Sequence, residues 1–217
     1  MPVALVCPAS NLAVKKSART LGLMTVAAIV LAAGASRRLG QPKQLVGIAG
    51  EFLIERSLRL AREAGAAPVI AVLGANYAPI CAAVLFHDAI PVFNERWQEG
   101  ISSSIQAGLR ELDVRVPDSR AVLILACDQP HLTAEHLHAL IDAFDRQATP
   151  SIAASAYADT VGIPAIFPRV AFPELHALGG DRGARSLLQK PKYPVVSVTF
   201  TGGEIDIDTP SDLDKLK

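Results

Sequence analysis

Two stretches of this chain, Val26-Ala-Ala-Ile-Val-Leu-Ala-Ala33 and Ala121-Val-Leu-Ile-Leu-Ala126, are apolar at every position. A strand shows successive side chains to opposite faces of its sheet, so an unbroken apolar run must be covered on both sides. Neither run approaches the roughly 20 residues needed to cross a bilayer. Segments of helical period separate such runs. Residues 51–65 place Ile54, Leu58 and Ala61 at i, i+4 and i+7, with Gly65 as the stop. Residues 76–86 read as a second helix. Ile101, Ile105, Leu109 and Leu112 line a third, and a fourth, capped by Thr133, carries Leu137, Leu140, Ile141 and Phe144. Further strands are expected at 68–73, 90–93, 151–157, 163–167 and 195–200, with a less regular region at 178–189. Strands alternating with helices predict an α/β fold, a mostly parallel sheet in a three-layer arrangement. One domain is expected over residues 25–217. Residues 1–24 place Lys15, Lys16 and Arg19 after an apolar start, the reverse of a secretion signal, and read as a loosely attached N-terminal extension.

The charge balance narrows the function. Lys plus Arg and Asp plus Glu each number 21 among 217 residues, which argues against a nucleic-acid partner, whose phosphates demand a basic excess. No segment suits a membrane. Cys7, Cys81 and Cys127 are odd in number and lack CxxC spacing, so neither a disulfide framework nor a zinc site is expected. A reducing, cytoplasmic compartment fits.

Ligands of open parallel sheets bind at the carboxyl ends of the strands. Leu31-Ala-Ala-Gly-Ala-Ser-Arg-Arg-Leu-Gly-Gln-Pro-Lys-Gln-Leu45 occupies such an end. Gly34 and Gly40 allow close backbone approach to an anion, Ser36 adds a hydroxyl, and Arg37, Arg38 and Lys43 add positive charge. Lys43 lies between Pro42 and Gln44, so the loop is not a Walker loop, and it lacks the G-x-G-x-x-G of a dinucleotide fold.

This run resembles the signature of the nucleotidyltransferases that modify molybdenum cofactor, and of their sugar-nucleotide relatives. The resemblance implies a Rossmann-like domain in which Leu31, Ala32, Ala33, Gly34 and Ser36 bind the nucleotide. Arg38 and Lys43 would clamp the triphosphate, with Arg37 at a variable position.

Asp128, in Ala126-Cys-Asp-Gln-Pro130, ends the second apolar run at the same sheet edge. A carboxylate there is a cap or a ligand for a hard cation such as Mg²⁺. In Asp206-Ile-Asp208, alternation along a short strand puts both acids on one face, just ahead of Thr209 as N-cap, Pro210 and Asp212. In the family an Asp at the first place and an acidic or amide residue before Thr-Pro share the metal. Asp128 and Asp208 match, and Asp206 is the second choice.

Gly100, Ser104, Gly108 and Leu109 fit the family's Gly-x-x-x-Ser-Ile-x-x-Gly-Leu pattern, giving Gly100 and Ser104 to the nucleotide and Gly108 to helix packing. Gly162-Ile-Pro164 and Gly180-Asp-Arg-Gly-Ala-Arg185 resemble the cytidylyltransferase branch. They assign Gly162, Pro164, Gly180, Asp181, Arg182 and Arg185 to the acceptor. Ala33, where the guanylyl branch has glycine, points to CTP. The reaction so implied is Mg²⁺-dependent cytidylyl transfer to molybdopterin, a phosphorylated pterin, with a molybdoenzyme or its chaperone as a further partner. Alternatives are guanylyl transfer, cytidylyl transfer to another phosphorylated acceptor, and a non-catalytic delivery module. His136 and His138 are expected on the exposed side of their helix.

Overall fold

The computed structural model describes residues 25–216, so the N-terminal extension lies outside the described residues. Its strands are β1 (Ala27–Ala32), β2 (Gly47–Ile48), β3 (Glu51–Phe52), β4 (Val69–Leu73), β5 (Ile90–Phe93), β6 (Ala121–Ala126), β7 (Ile152–Tyr157), β8 (Thr160–Pro168) and β9 (Val195–Thr199). Its helices are α1 (Leu53–Glu63), α2 (Tyr77–Ala83), α3 (Ile101–Arg115), α4 (Ala134–Asp145), α5 (Phe172–His176) and α6 (Arg185–Gln189). Seven strands form one sheet in the order β5-β4-β1-β6-β8-β7-β9. Only β8 is reversed, antiparallel to both β6 and β7, while the other pairings are parallel.

Both faces of the apolar runs are covered, as their composition demands. Ala28, Val30, Leu123 and Leu125 pack under Ile54 and Leu58 of α1 and Leu137 and Leu140 of α4. On the opposite face Ile29, Ile70, Val122 and Ile124 meet Ile105, Leu109 and Leu112 of α3, with Phe172, Leu175 and Leu188 beyond. Gly108 belongs to this packing, because a methyl group there would lie 2.8 Å from Cγ2 of Ile29.

The register levels three strand ends: Ala32 pairs with Leu73, and Leu31 with Ala126. The loops following β1, β4 and β6 therefore emerge side by side. Some boundaries differ from expectation. Residues 51–52 pair with β2 in a short ribbon, and α1 starts only at Leu53. It ends before Gly65, whose φ of 84° stops it. The helix α2 ends at Ala83, three residues early. Thr133 does cap α4, its Oγ1 accepting the His136 N–H. The segment at 205–208, expected as a short strand, forms none. The Ile207 N–H ties it to the sheet edge, donating to the Asp128 carbonyl at 3.0 Å.

Candidate active site

The loop after β1 is held by a residue that motif reading passes over. Gln44 is fully buried, and its amide Nε2 donates to the carbonyls of Ala32 (2.7 Å) and Gly34 (2.9 Å). The Lys43 backbone N–H donates to Ser36 Oγ at 3.0 Å. Ser36, expected to face a nucleotide, thus ties the two ends of its own loop. The Ala33 carbonyl is taken by the Ala75 N–H, and the Ala33 methyl lies against Gly74. The carbonyls of this turn are spent on protein contacts, leaving the Leu31, Ala33 and Gly34 surface as a wall.

That wall bounds a cleft of about 610 Å³, which Arg37, Lys43, Trp97, Ser104, Asp128 and Asp181 also line. At one end Lys43 Nζ donates to Asp128 Oδ2 at 2.5 Å and to Asp208 Oδ1 at 2.8 Å. The Lys43 and Asp128 side chains are only 16% and 17% exposed. Two carboxylates from distant segments thus converge on one cationic point. Burial alone would depress the Lys43 ammonium, but the Asp128 charge and hydrogen bonds to both acids hold it above the ordinary lysine range. The hydrogen bond from Lys43 holds Asp208 below the usual carboxylate range. Partial burial of its carboxyl and the adjacent Asp128 push Asp206 up to about 7.

Two assignments change here. Arg38, expected to clamp phosphate, turns away and donates to Asp208 Oδ2 at 2.7 Å. Arg37, read as variable, is the arginine that lines the cleft. Lys43 does not project freely toward a phosphate either, because both carboxylates hold it. Among the described residues, no three of His, Cys, Asp and Glu gather in a metal-holding arrangement. The pair Asp128 and Asp208 offers hard oxygen donors of the kind Mg²⁺ takes one or two of, completing its shell with phosphates and water. Cys127, beside Asp128, is buried and its thiol is pushed up to about 12 by that burial, so it offers no thiolate nucleophile.

The other end of the cleft forms around the start of α3. Gly100 has φ of 99°, and a methyl group on it would lie 2.3 Å from Asp181 Oδ1 and 2.7 Å from the Gly180 carbonyl carbon. Only glycine permits this close docking of the 180–181 turn. Asp181, assigned to the acceptor, therefore faces the same cleft as Gly100 and Ser104. Asn94, buried and unmarked by any motif, donates through Nδ2 to Ser103 and Ser104 and fixes their hydroxyls. Trp97, the single tryptophan, and Gln98 are lining residues that sequence reasoning missed. Ile101, read as a core position, is partly exposed in the cleft wall.

The remaining acceptor candidates do not join this cleft. Gly162 lies within β8, with the Tyr157 hydroxyl 2.1 Å from where a methyl group would stand. Pro164 is buried, its carbonyl accepting from Ser155 Oγ at 2.7 Å. Arg182 is exposed on the turn carrying Asp181. Arg185 donates to Thr160 Oγ1 at 3.3 Å, and residues 156–161, Gln189 and Thr199 line a second, open depression of about 650 Å³. Because β7 and β9 run parallel to β6, this depression opens at the same sheet edge as the cleft. His138 is exposed as expected, but His136 is not. Its ring stacks on Phe200 with centroids 4.5 Å apart, and its Nε2 lies 2.8 Å from Ser155 Oγ, with burial lowering its pKa.

Comparison with known proteins places this geometry. Residues 28–195 match the MobA-like NTP transferase domain family. The matched stretch stops short of Asp208, which the fold alone brings to Asp128. The chain is similar to the purine catabolism protein PucB of Bacillus subtilis (strain 168), 31% identical and covering 87% of this chain and 94% of that one. It is 30% identical to nicotine blue oxidoreductase of Paenarthrobacter nicotinovorans, covering 85% and 93% respectively. The crystal structure of Rv0371c from Mycobacterium tuberculosis H37Rv superposes with a TM-score of 0.76 at 32% identity, over 89% of this chain and 98% of that one. Rv0371c is also known in complex with manganese, a structure matching at TM-score 0.70 and 30% identity, over 88% and 97% of the two chains. Among the described residues, no helix is long and apolar enough to cross a membrane.

Proposed function

The chain belongs to the MobA-like NTP transferase family and is a nucleotidyltransferase, and on that premise we propose that it moves CMP from CTP onto the phosphate of a phosphorylated pterin of the molybdopterin type. The observation that carries this reading is the pair Asp128 and Asp208, converging at one end of a cleft walled by the loop after β1. An oxygen of the acceptor phosphate attacks the α-phosphorus, the bond from that phosphorus to the bridging oxygen breaks, and pyrophosphate leaves with the bond's electrons. The acceptor phosphate is already ionised at neutral pH, so the site needs no strong base. Its work is to align the reacting groups and offset charge.

Asp128 and Asp208 would hold a magnesium ion, whose bound charge offsets that developing on the phosphates. The manganese complex of Rv0371c supports a divalent ion in a protein of this kind. Arg37 and Lys43 face the triphosphate from the cleft wall, and Arg38 steadies Asp208. Ser104, positioned by Asn94, and the wall at Ala33 border the base and ribose. The bulk of Ala33 supports CTP over GTP, since its methyl stands where the guanylyl branch has none. Arg185 and the depression beside β7 are the acceptor side.

A pyrophosphate-release assay of the four NTPs with Mg²⁺, run against phosphorylated acceptors that include molybdopterin, tests the proposal. CTP with molybdopterin should give the highest kcat/KM, and Asp128→Asn should abolish release while the protein still melts cooperatively. Preference for GTP, or wild-type turnover in Asp128→Asn, refutes the respective part.

A further inference from the structure

In this structure Lys43 occupies the place between Asp128 and Asp208 that the proposed function gives to a divalent ion. We propose that Lys43 is a resident counter-ion: it keeps both carboxylates closed to a free divalent cation and releases them when a triphosphate offers its ammonium another anion. Metal and nucleotide are then taken up together. This rests on the reading that the two carboxylates serve a metal.

The geometry supports it in three ways. First, the ammonium satisfies one oxygen of each acid at once, and Arg38 covers the other oxygen of Asp208 at 2.7 Å. Second, two carboxylates and two cations make a neutral cluster. A lone divalent ion added to it would leave an excess of positive charge even with Asp206 alongside, in a site where Lys43 and Asp128 are too sheltered for water to screen them well. A triphosphate arriving with the ion removes that excess. Third, the device has a fixed base and a free arm. The Lys43 backbone is tied to Ser36, and Gln44 beside it is locked to Ala32 and Gly34. The flexible four-carbon side chain, by contrast, lines the cleft itself. The ammonium can leave the acids for a cleft anion by side-chain rotation alone.

The test is titration of Mn²⁺ without nucleotide, read from the signal of free Mn²⁺ in electron paramagnetic resonance. Wild type should bind weakly. Lys43→Gln should bind about ten- to a hundredfold more tightly, the gain expected when a site occupied 90–99% of the time by its own counter-ion is opened. Lys43→Met should behave alike, and adding Asp128→Asn should remove the gain. Arg38→Gln deletes an equal charge but leaves the bridge, so its gain should be no more than about threefold. Equal Mn²⁺ affinity in wild type and both Lys43 variants overturns the proposal. So does an Arg38→Gln gain as large as that of Lys43→Gln, which would make the effect one of net charge rather than occupancy. The proposed function fails by a separate result, absence of pyrophosphate release from every NTP.

Discussion

Replacing Gln44 by methionine keeps the length and volume of the side chain and deletes its two hydrogen bonds. The residue and Ala32 are buried, so the Ala32 carbonyl would lose its donor with no water to replace it, whereas the Gly34 carbonyl, on an exposed residue, can turn to solvent. Each such bond contributes about 1 kcal/mol net, and a stranded buried carbonyl costs about 1–3 kcal/mol. One offset is present: Gln44 Oε1 is itself buried without a partner, and methionine removes that liability. The balance is a loss of roughly 2–4 kcal/mol, which for a protein of this size lowers Tm by about 5–15 °C. Because Gln44 adjoins Lys43, the loop it anchors should also loosen around the site, and turnover should fall by more than the unfolded fraction explains. Thermal denaturation by circular dichroism, with pyrophosphate release measured well below Tm, reads both effects. A Tm within 2 °C of wild type, or activity fully retained at low temperature, would show that the clamp holds neither fold nor site.

Two further outcomes follow from the packing. Gly108→Ala drives a methyl group to 2.8 Å from Ile29 in the centre of the sheet, so α3 must shift, costing about 1–3 kcal/mol in denaturant unfolding; an unchanged midpoint would mean that this contact yields freely. His136 is held neutral by burial, so its folded-state pKa lies below the unfolded value of 6.5 and the unfolded chain binds more protons. Its contribution is complete above about pH 6.5 and is lost as pH falls further. His136→Gln should flatten the loss of stability between pH 6.5 and 5, and an unaltered slope would exclude His136 as its source.

The sequence made much of the frame legible, for identifiable reasons. Unbroken apolar runs require two covered faces, and β1, β4 and β6 are buried as that rule demands. A carboxylate at the end of a buried strand advertises itself, as Asp128 does, and Asp208 stood out by its place before Thr-Pro; the structure brings both to Lys43 although they are distant in sequence. What stayed hidden depends on which way a side chain turns. Arg37 and Arg38 are adjacent and chemically identical, and only the helical turn of the loop decides that one faces the cleft and the other faces Asp208. Gln44 and Asn94 act through backbone and hydroxyl partners, so no spacing rule marks them. That Asp181 lines the same cleft as Gly100 and Ser104 could not be read in advance, because its position depends on a turn docking against Gly100, a contact between segments that periodicity cannot register. His136 was read as solvated from helical phase, but β9 and Phe200 reach over that side of α4.

The tie between Ile207 and the Asp128 carbonyl has a consequence in time. Asp208 meets a lysine made 165 positions earlier and an arginine made 170 positions earlier. During synthesis, β1, β4 and β6 can emerge and shape the cleft several seconds before residues 207–208 leave the ribosome, at usual elongation rates. A nascent chain at that stage has Asp128 in place beside Lys43 but not yet Asp208. On the proposed function, the second metal-holding carboxylate is therefore missing until residue 208 has been made, and a chain truncated ahead of residue 207 would lack it.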